Sequence, residues 1–574
     1  MNMITKLLAV LGAAMMASPA LAQEAAASLD QRVNDAFASS TGWFVSFIFA
    51  PIPGTAFPWI VMWLVIGASV FTIYFAFVQF RFFGHAISLV KGDYSDPNDA
   101  GEVSHFQALA TALSGTVGLG NIAGVAVAVG IGGPGATFWM ILAGLLGMAS
   151  KFTECTLGVK YRNEYPDGSV SGGPMYYMSK GFDELGLPGG KILAILFSIF
   201  CILGAFGGGN MFQANQAHVA ISGLTDQIGL TEDGFSGLIT GFAFAIVVFA
   251  VIVGGVKSIA KVTEKIVPFM GIMYVGAALI VLIVNFNMIG WAFGQIFAGA
   301  FTGLGVTGGI VGALIQGFKR AAFSNEAGVG SAAIAHSAVK TKEPITEGFV
   351  SLLEPLIDTV VICTMTALVI VISQQLIIDA NTGNYVLYTV EQAQQVAVGL
   401  ELPSGVQAAI ATAADGGAIK EALEGIDGDL AAPVLTIVNN LDSIRSVEDA
   451  RGVALTAAAF GSAISWFPFV LAIAVVLFAF STMISWSYYG LKAWTYLFGE
   501  GQTAELVFKI IFCIFIVIGA AASLGPVIDF SDAAIFAMAV VNITALYFLM
   551  KVVRDELASY SDRLKSGVIK KFEH

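Results

Sequence analysis

Residues 114–126, SGTVGLGNIAGVA, lie in the middle of an apolar span, yet they bare the backbone where a membrane-crossing helix would hide it. Gly115, Gly118, Gly120 and Gly124 offer no side chain to shield the peptide groups, and Thr116 and Asn121 set polar atoms among them. Irregular backbone at membrane depth is tolerated only where it lines a cavity or is buried in protein. The run therefore predicts a helix broken at mid-bilayer around a site. Small residues at GxxxG-like spacing also serve close helix packing, but packing does not require an amide.

Composition fixes the class. Hydrophobic residues make up 57% of the chain and charged residues 12%, against roughly 25% charged in soluble domains. This is an all-α polytopic membrane protein. Cys155, Cys201, Cys363 and Cys513 fall in separate apolar spans without a CxxC pair, so they read as small core residues rather than disulfides or zinc ligands. No nucleophile–base or metal constellation stands in any loop, which argues against an enzyme.

Residues 1–22 read as a cleavable signal peptide, with Lys6, an apolar run too short to span, and Ala20-Leu21-Ala22 before Gln23. Residues 23–57 read as a periplasmic or interfacial segment, and 58–80 as an extra transmembrane helix. At about 20 apolar residues per span, ten further spans follow. They divide into a first five-helix repeat over 105–286 and a second over 287–552, with an insertion at 374–450 and a cytoplasmic tail at 553–574. Lysine and arginine concentrate in alternate loops: Arg81 and Lys91; Lys160, Arg162 and Lys180; Lys257 and Lys261; Lys319, Arg320, Lys340 and Lys342; Lys492; and the tail. Positive residues mark the cytoplasmic side, in agreement with an external N-terminus after signal cleavage at a bacterial inner membrane.

The insertion carries most of the chain's acidity: from 377 to 450 it has eleven acidic residues against Lys420 and Arg445, about −9 of a net −13. It reads as a small solvated helical cap and says nothing of nucleic acid.

The second repeat opens at 289–318, broken at 301–309, FTGLGVTGG. Glycine-interrupted spans at corresponding places in two halves, running in opposite directions, point to an inverted-repeat transporter with a midplane site. A passive channel would not need the pairing.

Three motifs, SGTVGLGNIAGVA at 114–126, NEAGVGS at 325–331 and FSTMISWSYYG at 480–490, closely resemble the alanine or glycine:cation symporter family. The resemblance implies a leucine-transporter-like 5+5 inverted repeat and sodium-driven uptake of a small neutral amino acid, alanine or glycine. VGLGN at 117–121 is similar to the same run in the wider sodium-symporter superfamily. By that similarity the Thr116 carbonyl, the Asn121 side chain and Thr302 surround one sodium. The Ser114 and Val117 carbonyls with the Ser481 and Thr482 hydroxyls hold a second. N–H groups of Gly118, Leu119 and Gly120 meet the substrate carboxylate, with Thr116, and with Phe301 and Gly303 of the second break, beside it.

Outside those positions, Asn210 and Gln213 are three apart and share a helix face, either toward substrate or in an interhelical network. Trp486, four residues past Thr482, either walls the site or belongs to an interfacial belt. Glu154 reads as an ion paired with Lys151. Glu354 and Asp358 share one inward face, Asp358 as a candidate cation or proton ligand. His218 reads as a satisfied helix-end histidine. A proton-coupled carrier or an exchanger on the same fold is the near alternative. No cofactor is expected beyond the coupling ion.

Overall fold

The structure is a computed structural model that describes residues 37–571, apart from 56, 97, 167, 228–236, 302–308 and much of 374–451. The expected signal peptide lies outside the described residues. The chain is a bundle of helices with two small two-stranded hairpins at 163–171 and 377–386. In chain order the helices used below are α1 (Phe37–Ile48), α2 (Trp59–Tyr74), α3 (His105–Thr116), α4 (Val125–Gly132) and α5 (Gly135–Lys160). Then come α6 (Pro174–Glu184), α7 (Gly190–Phe206), α8 (Phe212–Gln227), α9 (Gly237–Ile252), α10 (Gly255–Val284) and α11 (Phe286–Phe301). The remainder are α12 (Gly309–Asn325), α13 (Ala332–His336), α14 (Pro344–Ser351), α15 (Thr364–Ile372), α16 (Val453–Ala463), α17 (Phe467–Phe498), α18 (Gln502–Ala521) and α19 (Leu524–Lys565).

Among the described residues, seven helices are long and apolar enough to cross a membrane, and the bent pair α3–α4 makes an eighth. By this measure eleven spans are not reached, because α1, α2, α9 and α16 are apolar but shorter. The surface agrees with a lipid solvent: Ile73, Phe80, Ile272, Ile283 and Phe286 are all exposed.

One end of the bundle is basic and tightly laced. Arg162 donates to the carbonyls of Ala100, Ser337, Val339 and Thr341, and Val103 pairs with Val339. Lys160 meets Glu556 at 2.6 Å, Arg563 meets Glu343 through two bonds of 2.5 and 2.6 Å, and Lys571 meets Asp93 at 2.6 Å. Lys319 and Arg320 are the exception and a correction. They lie in α12 rather than in a loop, Arg320 buried against Asp532 and Lys319 2.8 Å from the same carboxylate. A charge inside a span is retained when a partner on a neighbouring helix neutralises it.

α3 begins at a capping box in which Ser104 and Gln107 satisfy each other's backbone N–H groups. It stops at Thr116, Val117 departs from helical angles, and the chain resumes through a π-turn at Gly120–Gly124 into α4, bent by 50°. This broken span runs from the basic end, where Val103 meets Val339, to Gly132, which packs on Gln316 and Ala136.

The break expected at 301–309 falls on residues 302–308, which lie outside the described residues. The irregular backbone that meets the first break is Asn325–Ser331, between α12 and α13, where Glu326, Gly328 and Gly330 have φ of 54°, 81° and 94°. Along α5 the close approaches run in order: Gly317 to Ala136 and Trp139, Ala327 to Gly147, Ala333 to Gly158. The span α12–α13 therefore runs parallel to α5 toward the basic end, opposite in direction to α3–α4. One further expectation changes: residues 455–489 are not a single helix. Ile464 is extended and Pro468 starts a new helix, so α16 folds off α17. α16 then caps the first break, Thr456 donating to the Ile122 carbonyl at 3.1 Å.

Part of the insertion packs around its own apolar cluster, including Leu402, Ile410, Ile419 and Leu423, over helices Ser404–Ala411 and Gly416–Ala422.

Candidate functional site

The two breaks touch. A Cβ on Gly120 would lie 3.2 Å from the Cα of Ser324, the residue before the second break, so only glycine lets the two backbones approach this closely. A Cβ on Gly118 would fall on the Thr482 hydroxyl and within 3.5 Å of the Gln213 amide oxygen. The first break is thus held between α12, α17 and α8.

Its backbone N–H groups are met by side-chain oxygens. Gly118 N–H donates to Asn121 Oδ1 at 2.9 Å and Leu119 N–H to Gln213 Oε1 at 3.3 Å. Both acceptors are neutral amide oxygens at a half-helix N-terminus, where free N–H groups favour an anionic oxygen. On its other side Asn121 donates from Nδ2 to the Asp358 carboxylate at 2.6 Å and the Asp358 carbonyl at 3.0 Å. Ser324 and Thr359 hydroxyls donate to the second oxygen of Asp358 at 2.8 and 2.7 Å. Asp358, Asn121, Thr359 and Ser324 are all buried, and a π-helix over Leu356–Cys363 turns the acid toward the break. Among the described residues this carboxylate is hydrogen-bonded by two hydroxyls and an amide and by no basic side chain.

A second polar seam joins α3 to α17. Thr482 Oγ1 donates to the Ser114 carbonyl at 3.1 Å, Ser114 Oγ to the Ser481 carbonyl at 2.8 Å, and Ser485 Oγ to the Thr111 carbonyl at 3.2 Å. Ser481 itself bonds back to the Phe478 carbonyl at 3.0 Å.

The second break is charged. Trp486 Nε1 donates to Glu326 Oε1 at 2.9 Å and the Ser331 hydroxyl donates to Glu326 Oε2. Lys151 Nζ lies 3.0 Å from Glu354 and 3.9 Å from Glu154.

The description "Sodium:alanine symporter family" matches residues 42–414 and 430–574. The chain belongs to that family. It is 37% identical to the sodium/alanine symporter AgcS of Methanococcus maripaludis over 88% of this chain and 94% of that protein. It is 30% identical to the probable sodium/glutamine symporter GlnT of Bacillus subtilis over 87% and 86% of the two chains. It is also 34% identical to the putative sodium/proton-dependent alanine carrier protein YrbD of Bacillus subtilis over 57% and 64%. Among solved structures, MhsT in complex with L-phenylalanine aligns at TM-score 0.44 and 15% identity, covering 77% of this chain and 89% of that one. As a member of the family the chain is an amino-acid transporter of the membrane, with sodium and alanine as what it carries.

Of the residues singled out in the sequence of this symporter, Ser114, Val117, Gly118, Leu119, Gly120, Asn121, Gln213 and Thr482 come together at the first break. Thr116 ends α3 at the same break, its hydroxyl bonding back to the Ala112 carbonyl at 3.1 Å. Others do not join them. Asn210 and Gln213 do not share a task, because the π-turn at Gly207–Met211 shifts the helical register between them. Asn210 donates to the Phe512 carbonyl of α18 at 2.7 Å, while Gln213 reaches the break. Phe301 is 53% exposed and packs on Phe138 and Trp139 at the start of α5, away from both breaks. Thr302 and Gly303 lie outside the described residues. Trp486 stands over Gly209 and holds Glu326, so it borders the second break rather than the first. His218 is 3.1 Å from the Thr240 hydroxyl but lies in the middle of α8, not at a helix end. Sequence reasoning passed over Glu326 and Ser324. The signal available was an ionisable residue inside the NEAGVGS motif, flanked by apolar runs.

Proposed function

We propose that this family member couples the sodium gradient to uptake of a small neutral amino acid, alanine or glycine, by alternating access in a leucine-transporter-like 5+5 inverted repeat. The observation that carries the reading is the meeting of two broken spans of opposite direction at Gly120 and Ser324. The substrate carboxylate displaces the amide oxygens of Asn121 and Gln213 from the N–H groups of Gly118 and Leu119. Asn121 and Asp358 hold the sodium beside it, which goes beyond the ligands read from the sequence. The Ser114 and Val117 carbonyls with Thr482, and more weakly Ser481, hold the second. The basic end faces the cytoplasm, since positive residues are retained on that side, and the acidic insertion faces outward.

Uptake of labelled alanine into proteoliposomes, driven by a sodium gradient or by a proton gradient with sodium replaced by choline, tests this directly. Uptake is expected only with sodium. Asp358→Asn is expected to raise the sodium concentration for half-maximal uptake by roughly tenfold or more, from about 1.5–3 kcal/mol for an interaction with a charge. Equal uptake in choline with a proton gradient overturns the sodium reading in favour of a proton-coupled carrier. Glycine should compete with alanine, and leucine should not. Overpacking a site walled by close backbone costs about 1–3 kcal/mol.

A further inference from the structure

A cluster of buried ionisable groups lies between the second break and the basic end, apart from the Asn121–Asp358 oxygens. Glu154, Glu326, Glu347 and Glu354 supply four carboxyl groups, and Lys151, His105 and His336 the basic ones; each is at most 2% exposed. Glu347 is matched twice, by His105 Nδ1 and by His336 Nδ1 at 2.6 Å. Glu354 is bonded by Lys151 at 3.0 Å through one oxygen, and its other oxygen lies 3.5 Å from His336 Nε2, an ion-pair distance without a hydrogen bond. The bases are then committed. Among the described residues, Glu326 receives only the neutral donors Trp486 and Ser331. Glu154 receives the Asn542 amide at 2.9 Å on one oxygen, while its other oxygen has, among the described residues, no hydrogen-bond partner and only Lys151 at 3.9 Å.

Even with Lys151 and both imidazoles charged, three positive charges face four carboxyl groups. An isolated buried carboxylate takes up a proton rather than meet the cost of desolvation. We propose that Glu154 and Glu326 form a proton-binding site that holds one exchangeable proton beneath the second break, separate from the sodium sites. The remaining ionisable neighbours do not alter the count. Cys155 of α5, Tyr177 of α6, Cys201 of α7 and Tyr489 of α17 face the pair, and thiols and phenols add no charge at neutral pH in ordinary surroundings. The chain of links Lys151, Glu354, His336, Glu347, His105 leads from the pair to the first turn of α3, beside exposed Ser104 at the basic end. A proton leaving a carboxyl group of the pair passes to that side when the left-handed backbone at Glu326 rearranges and admits water. Its carboxylate then faces Lys151.

The site is tested without relying on substrate, by infrared spectroscopy of the purified full-length protein at neutral pH. A carbonyl stretch from protonated carboxyl groups is expected. Glu154→Gln and Glu326→Gln, which fix the neutral shape, are each expected to remove part of it, and Asp358→Asn is expected to leave that part in place. A spectrum unchanged by both glutamine variants overturns the proposal. Should neither variant fold, the unaltered protein still decides, since absence of any protonated-carboxyl band overturns it. In proteoliposomes, uptake should vary with the pH of the basic-end side, and Glu326→Gln should flatten that dependence. If uptake fails altogether while the infrared band persists, the transport reading fails and this one stands.

Discussion

The two breaks meet at one place but are built from opposite materials. At Gly118–Asn121 every atom is neutral, and what matters is that glycine lets Thr482, Gln213 and Ser324 approach the backbone. At Asn325–Ser331 a glutamate is held in the left-handed region, at φ 54°, where a non-glycine residue costs roughly 1–2 kcal/mol. Trp486 and Ser331 hold it there, above a network of buried charge. One break is made to be approached, and the other to carry charge. In an inverted repeat the halves need share only geometry, so their chemistry is free to diverge.

The contrast predicts its largest effect at the first break. Gly118→Val and Gly120→Val should abolish sodium-dependent alanine uptake while the protein still inserts and elutes as a single species in detergent. At the second break, Gly328→Ala meets the Ile543 side chain at 3.2 Å, which can shift, but puts a Cβ on left-handed backbone at φ 81°, at roughly 1–2 kcal/mol, and should reduce uptake without abolishing it. Normal transport by either valine variant would make the first break a packing face and erase the distinction.

The same contrast explains what could be read from the sequence. The first break was legible because glycine density within an apolar span is a local signal. So was the α-helical membrane class, which composition alone carries. Glycine density also pointed to 301–309, whose residues 302–308 lie outside the described residues, whereas the irregularity that meets the first break has Glu326 near its start and was not read as one. Its partners Trp486, on Glu326, and Asn542, on the Gly328 carbonyl, come from α17 and α19, and no local pattern announces pairing across so many residues. Asn210 parts from Gln213 for another reason: three residues apart means one face only in an uninterrupted α-helix, and Asn210 sits inside the π-turn Gly207–Met211 that ends just before Gln213's helix. Phe301 was drawn in only by its place beside that glycine run.

A sharper test compares stability. Lys151→Met removes the cation between Glu354 and Glu154 and leaves uncompensated charge in the bundle. Breaking a buried pair costs about 3–5 kcal/mol. The unfolding temperature of the solubilised protein should fall more than for Thr482→Ala. The deficit should shrink as pH is lowered, because carboxylates left without Lys151 are neutralised by protons. An equal, pH-independent fall in both variants would mean that the second break is no more charge-dependent than the first.

The smallest effects separate two adjacent hydroxyls on α17. Thr482 reaches across to the Ser114 carbonyl at 3.1 Å, whereas Ser481 is satisfied within its own helix by the Phe478 carbonyl at 3.0 Å. If the seam holds the second sodium, Thr482→Ala should raise the sodium concentration for half-maximal uptake by roughly tenfold or more, on the scale of about 1.5–3 kcal/mol for a bond to a charged group. Ser481→Ala should raise it by only about two- to fivefold, because that hydroxyl must first give up a bond worth roughly 0.5–1.5 kcal/mol. Maximal uptake and the preference for alanine should change little in both, since neither hydroxyl touches the N–H groups assigned to the substrate. Equal shifts would mean that the Ser481 hydroxyl leaves Phe478 when sodium binds. Loss of alanine selectivity in Thr482→Ala, with sodium dependence intact, would move Thr482 out of the ion seam and into the substrate site beside Gly118.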